Sequence, residues 1–214
     1  MMKSLTNAVS TSELDSRGRI IDVSAPLFAS RGFAGVGMRQ VAAETGLSKS
    51  ALFHHFTTKL RLYGAVLESC LGDIDRRIRS AELPDADPLE QVDAYVGAYV
   101  EALASKPHYG HLLMRGLIEG EPLEPEDEAR NNAITSGLVE LFGELLRGGM
   151  DGGRFRRVPI DQAIQTLIGV VTFHFSSGEF GEHLVGGSLF SPQQVERRKK
   201  HVIHVMREML RLDA

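Results

Sequence analysis

Apolar residues recur along the chain at steps of three and four, and no stretch alternates convincingly with period two, so the pattern predicts helices throughout. The first begins at Asp15 or Ser16, carries Ile20, Val23, Leu27 and Phe28 on one side, and stops at Arg31-Gly32, where glycine suits the residue after a helix end. Pro26 falls inside it and is expected to release the carbonyl of Asp22 and bend the helix. Met38, Val41 and Ala42 mark a second helix, which gives way at Thr45-Gly46-Leu47 to a third, capped by Ser48 and carrying Leu52 and Phe56. From Thr58 to about Ser80 a long helix follows, with Leu62, Val66 and Cys70 at four-residue steps. Its basic end, Arg76-Arg77-Arg79, suits the negative pole of the helix dipole. Pro84 to Pro88 is a clear break, and further helices are expected at about 88–105, 107–119, 125–149, 159–180 and 191–212. The sum is an all-α protein of about nine helices without internal repeats.

Three units are expected: a polar, aperiodic and disordered tail at 1–11, a small helical head at 12–60, and a larger body at 61–214. Within 214 residues this means one domain plus a small module, long enough to bury a core without staples. The single cysteine, Cys70, excludes a disulfide framework and a cysteine-rich zinc ribbon, and fits a reducing compartment. The opening residues contain no apolar run like a signal-peptide core, and nowhere do about 18 uncharged apolar residues follow one another. A cytoplasmic protein without a membrane partner is expected.

Charge sharpens the division. The net charge of −4 argues against a nucleic-acid partner for the chain as a whole. Up to Leu62, however, eight basic residues face four acidic ones, a net of +4, while the remainder holds 16 basic and 24 acidic residues, a net of −8. A basic head on an acidic body suggests that only the head approaches an anion, although a solvated basic face would look the same.

Residues 38–56 meet the demands of a helix-turn-helix in order. Gly46 supplies a left-handed turn residue, Leu47 buries the turn, and Val41, Ala42, Leu52 and Phe56 clamp the two helices together. The second helix then presents Lys49, Ser50, Ala51, His54 and His55 outward, donors and small residues that suit a groove and its phosphates. From spacing alone, a plain helical hairpin in a bundle is the equal alternative.

Ile20-Ile21, Ala25, Leu27-Phe28, Gly32-Phe33, Val41-Ala42, Gly46-Leu47-Ser48, Leu52 to Phe56 and Lys59 follow one another as in the amino-terminal signature of the TetR family of bacterial transcriptional regulators, which the chain resembles over about residues 17–66. Beyond it the resemblance is one of architecture, a divergent helical body that binds a small molecule and dimerises. By position it implies that Lys49, Ser50, Ala51 and His54 face the major groove of a palindromic operator, with Ser48, Phe53, His55 and Lys59 at the phosphates. Three departures stand out. Val36-Gly37 replaces the family's hydroxyl pair before the second helix, Phe53 replaces a phosphate-reaching tyrosine, and Leu60 replaces a glutamate. Arg39 is expected to compensate for the lost hydroxyls.

In the body, residues 160–175 are apolar on nearly every face, so this helix is expected to be buried all round, on its own subunit and on a partner. Ile164, Leu167, Ile168, Val171 and Phe175, with Val202, Met206 and Met209 of the last helix, are assigned to an isologous four-helix homodimer interface; an internal core helix is the alternative. The basic run Arg197 to Lys200 is taken as a solvated face. A ligand pocket is expected between the fourth and eighth helices, from Val66, Tyr99, Leu103, Leu113, Met114, Leu117, Leu138, Phe142, Phe173 and His174. Those side chains suit a small, largely apolar effector with one or two hydrogen-bonding groups, for which Tyr99, His174 and His111 are the polar handles; each is otherwise plain core. His108/His111 and His201/His204 have a chelating i, i+3 spacing but no adjacent acid or cysteine, so no metal is expected. No nucleophile elbow, Walker loop or zinc-protease motif occurs, and no cofactor or enzymatic activity is expected. The sequence therefore predicts a homodimeric, ligand-released repressor. The rivals are a helical metalloenzyme or carrier with a vestigial head, and a constitutive DNA-binding protein with a filled body.

Overall fold

The computed structural model describes the backbone of residues 2–120 and 123–212, and the side chains from Ser16 onward except that of Glu119. Those residues form ten helices and no strand: α1 Met2–Arg31, α2 Met38–Thr45, α3 Lys49–His55, α4 Lys59–Arg79, α5 Pro88–Ser105, α6 Tyr109–Glu119, α7 Pro125–Asp151, α8 Ile160–Ser176, α9 Gly178–Val185 and α10 Pro192–Leu210. Two boundaries differ from expectation. Helix α1 starts at Met2, through the stretch 1–11 expected to be a disordered tail; residues 2–15 contain neither glycine nor proline, so no residue type there interrupts a helix. The helix expected at 159–180 is two, because Gly178 takes a positive φ of 55° and turns the chain between α8 and α9.

The head is built on Ile20, Phe28, Val36, Val41, Leu52 and Phe56, all buried. An aromatic cluster ties it to the body: the Tyr63 ring of α4 lies 5.1 Å from Phe28 and 5.3 Å from Phe33. Lys59, the first residue of α4, donates to the Phe33 carbonyl at 2.9 Å and sits 4.1 Å over that ring. The start of α4 is thus fastened to the head, while its remaining turns pack in the body against α7 and α5.

The body closes around α5, whose entry is fixed by a capping box: Leu89 N–H donates to Asp87 at 2.9 Å, and Asp87 N–H to Glu90 at 3.3 Å. Helix α10 packs on α5 and α8, and α6 packs on α8. The basic run of α10 is not simply a solvated face. Lys199 pairs with Glu101 of α5 at 2.8 Å and with Glu196 at 2.9 Å, and half-buried Arg198 donates to the Val170 carbonyl of α8.

The expected interface residues need the clearest correction. Ile164, Leu167, Val171, Phe175, Val202 and Met206 are buried within the chain's own core, and Ile168 and Met209 pack against it. The single chain therefore does not expose them as a patch, because α5, α6, α7 and α10 already cover that side of α8. Nor is α8 enclosed on all sides: Gln162, Gln165, Gly169 and Phe173 form an exposed stripe, with Phe173 54% exposed.

Candidate functional site

Two sites stand out, a convex face on α3 and a cavity in the body. Gly46 sits between α2 and α3 with φ 68°, a left-handed conformation in which a β-carbon would be strained, and Leu47 N–H closes the turn on Ala42 O at 3.0 Å. Ser48 then caps α3, accepting from Ala51 N–H at 3.1 Å, and its hydroxyl lies 3.0 Å from that of Ser50. Leu52 and Phe56 face inward, leaving Ser48, Lys49, Ser50 and His54 exposed and Ala51, Phe53 and His55 partly so. Lys49 leans over the Phe53 ring at 5.6 Å, and the His54 and His55 rings meet edge to face at 5.7 Å.

Arg39 is exposed in the first turn of α2, whose N-cap, Gly37, offers no side-chain acceptor to the turn's N–H groups, while Val36 is buried in the head. Lys59 is half-buried, with its ammonium turned onto Phe33.

The cavity has a volume of about 280 Å³ and lies between α4, α5, α6, α7 and α8. Of the expected wall, Tyr99, Leu113, Leu117, Leu138 and Phe142 line it; Val66, Leu103, Met114, Phe173 and His174 do not. Val66 and Leu103 are turned into the core, and Phe173 into the open. His174 is buried between Phe175, 4.9 Å away, and Arg198; burial and then the Arg198 charge push its pKa down to about 4.

Two strips escaped sequence reasoning. Leu67, Leu71, Ile74 and Ile78 give α4 a wall at helical spacing. Asn131, Asn132 and Thr135 give α7 a polar one, and Asn131, Thr135, Leu138 and Phe142 fall on one stripe of which only the apolar half was found. The signal was present as polar residues interrupting an otherwise inward stripe. Tyr99 does act as a polar wall residue, but its hydroxyl lies 2.8 Å from Thr172 Oγ1, and burial raises its pKa to about 12. Among the described residues no charged side chain lines the cavity.

Among the described residues no group of three or more histidine, cysteine or acidic side chains could hold a metal ion, and no helix is long and apolar enough to cross a membrane.

Known proteins match both parts of the chain. The profile of bacterial regulatory proteins of the tetR family matches residues 20–66, and that of a tetracyclin repressor-like C-terminal domain matches residues 88–206. The HTH-type transcriptional repressor KstR2 of Mycobacterium tuberculosis is 30% identical over 144 residues, 65% of this chain and 69% of that protein. The HTH-type transcriptional regulator RutR of Escherichia coli K12 is 28% identical over 199 residues, 88% of this chain and 89% of that one. The crystal structure of AibR in complex with isovaleryl coenzyme A and operator DNA shares the fold, with a TM-score of 0.72 at 18% identity over 89% of this chain and 97% of that chain.

Proposed function

Because the chain belongs to the TetR family of bacterial transcriptional regulators, we propose that it acts in the cytoplasm as a homodimeric repressor, released from a palindromic operator by a small neutral effector, and not as an enzyme. Helix α3 enters the major groove, with Lys49, Ser50, Ala51 and His54 toward the bases. Ser48, His55 and Arg39 approach the phosphates, and Phe53 contributes apolar contact where a hydroxyl is missing. Lys59 acts first as a fastener of the head, with its remaining donors available to a phosphate.

One observation carries the effector: the body holds an uncharged cavity of about 280 Å³, near the lower size for small-molecule sites, and one of its walls is the helix fastened to the head. A change in the lean of α4 alters the separation of two heads that must meet half-sites of fixed phasing. AibR is described with an acyl-coenzyme A; in this chain the cavity lacks a basic side chain, and the first turn of α7 carries Glu126, Asp127 and Glu128, an arrangement that disfavours a polyphosphate. The subunits pair through the exposed stripe Gln162, Gln165, Gly169 and Phe173 of α8 and the outward side of α10, Arg197, His201, His204 and Glu208.

The test uses operator DNA selected by the wild-type protein from a random pool. Neutral amphiphiles and aromatic alcohols are screened by thermal shift, and those that stabilise the protein are titrated into the operator complex. Stabilisation of about 2.7 kcal/mol at a hundredfold excess over Kd, with reciprocal loss of DNA affinity, is expected. Stabilisation only by polyanions, or without any effect on DNA binding, overturns the proposal.

A further inference from the structure

Between the cavity and the head-fastened start of α4, helices α7 and α4 are joined by several polar contacts, Arg130 to Glu68 at 3.0 Å among them. Gly64 of α4 lies so close to α7 that a β-carbon there would fall 2.8 Å from Asp127 Cβ and 3.0 Å from its Cγ. One turn along α7, the Asn131 amide donates to the Gly64 carbonyl at 3.3 Å and to the Asp127 carbonyl at 2.9 Å. Both partners are carbonyls, which fixes the amide orientation: the NH₂ end faces them and the oxygen lies on the other side.

Asp127, itself buried, accepts from Arg130 and, at 3.4 Å, from Arg61 in the first turn of α4; Glu126 accepts from Arg61 at 2.9 Å. Two residues earlier Lys59 holds the head through Phe33. A continuous set of contacts therefore runs from α7 to the head.

Asn131 is also part of the cavity wall, is 6% exposed, and its Oδ1 is buried without a hydrogen-bond partner. A buried acceptor left unpaired is unfavourable, so a donor arriving beside it is favoured; a shift of the amide toward that donor strains first the longer of its two bonds, the one to Gly64 at 3.3 Å.

The geometry points to Asn131 as the residue that reads the effector and transmits its arrival: a neutral molecule bearing a hydroxyl or amide N–H in the cavity donates to Asn131 Oδ1, draws the amide from the Gly64 carbonyl, and loosens α4 against α7 at Gly64. The inference rests on the ligand-release mechanism proposed above and adds its sensor. It sets the ligand class as well. A carboxylate or an ether offers no donor.

The test compares Asn131→Leu, Gly64→Ala and, as a control at the cavity wall away from the clasp, Leu138→Ala. Each is measured on the operator selected by the wild type. Opening the clasp should weaken operator binding at least tenfold in Asn131→Leu and in Gly64→Ala, with no effector added, while Leu138→Ala stays within twofold. Asn131→Leu replaces a buried amide by an apolar side chain of similar size, so it reports even if Gly64→Ala does not fold. Hydrogen exchange of wild type against Asn131→Leu should show faster exchange confined to the first two turns of α4.

In the wild type, 1-octanol should lower operator affinity more than 1-methoxyoctane, which cannot donate, and the difference should vanish in Asn131→Leu. Wild-type-like or tighter operator binding by Asn131→Leu overturns the clasp, as does an equal loss in Leu138→Ala. Equal effects of the two probes, including none, overturn the donor requirement. A wild type that selects no operator at all overturns the release mechanism and this inference together, whereas a normal operator with a silent Asn131→Leu overturns this inference alone.

Discussion

Gly46 and Ser48 stand two residues apart and do different work on the same turn: one admits a left-handed backbone, the other accepts from Ala51 N–H in the first turn of α3. Ser48→Ala should cost about 1 kcal/mol, the usual cost of removing a cap, visible as a shift in urea midpoint at unchanged m-value. Because Ser48 is also exposed on the face proposed to meet DNA, that variant should lose operator affinity beyond what its stability explains. His174 predicts a pH dependence. Its pKa falls from 6.5 in the unfolded chain to about 4 in the folded one, so between those values the unfolded chain binds the extra proton. The stability this neutral histidine contributes is complete above about pH 6.5 and is lost as pH falls toward 4, about 3 kcal/mol in all. Urea titrations at pH 7.5 and 4.5 should show the loss, and His174→Leu should shrink it; an unchanged difference would refute the assignment.

Among the helices, α8 best separates what was legible from what was not. Its apolar residues on nearly every face led to the expectation of burial all round, yet one stripe stays open, because a hydrophobic pattern does not say which neighbour covers which stripe. Ile164, Leu167, Val171 and Phe175 are covered by the chain itself, and the mixed stripe that includes Gly169 and Phe173 is the one left open and is the proposed partner face. Phe173→Glu should therefore convert the homodimer to a folded monomer, measured by sedimentation, with its helical circular dichroism retained. Val202→Glu should instead unfold the subunit, since a charge would enter the core without a partner. Equal behaviour of the two variants would return the interface to the buried set. Elements with strong local signals were legible: the Gly46 turn, the Ser48 cap and the Asp87-Pro88 helix start all lie where their residue types require. The cavity was half legible, because its walls come from five helices far apart in sequence. Asn131 and Thr135 matter through their position beside α4, which no local pattern encodes.

At the scale of the whole molecule, a head of net charge +4 and a remainder of −8 divide the labour between attraction and restraint. The acidic body repels DNA, so non-specific binding by any other surface is disfavoured, and affinity must come from the head. Each phosphate neutralised by the head releases condensed counterions, which makes affinity fall steeply with salt. With about three to five phosphates met by each of two heads, the log–log salt slope should be about −5 to −9. Arg39 and Lys49 are expected to separate by kind. Arg39→Ala at a phosphate should weaken binding to all sequences alike and flatten the slope by about 1 for each phosphate no longer neutralised, hence about 2 for the dimer. Lys49→Ala in the groove should change which bases are preferred at one half-site position, with a discrimination loss of about 1–3 kcal/mol there. Fluorescence anisotropy on the selected operator and on single-base variants, between 50 and 300 mM salt, measures both quantities. A salt-independent association, or an Arg39→Ala variant with unaltered slope, would show that the basic head is only a solvated face.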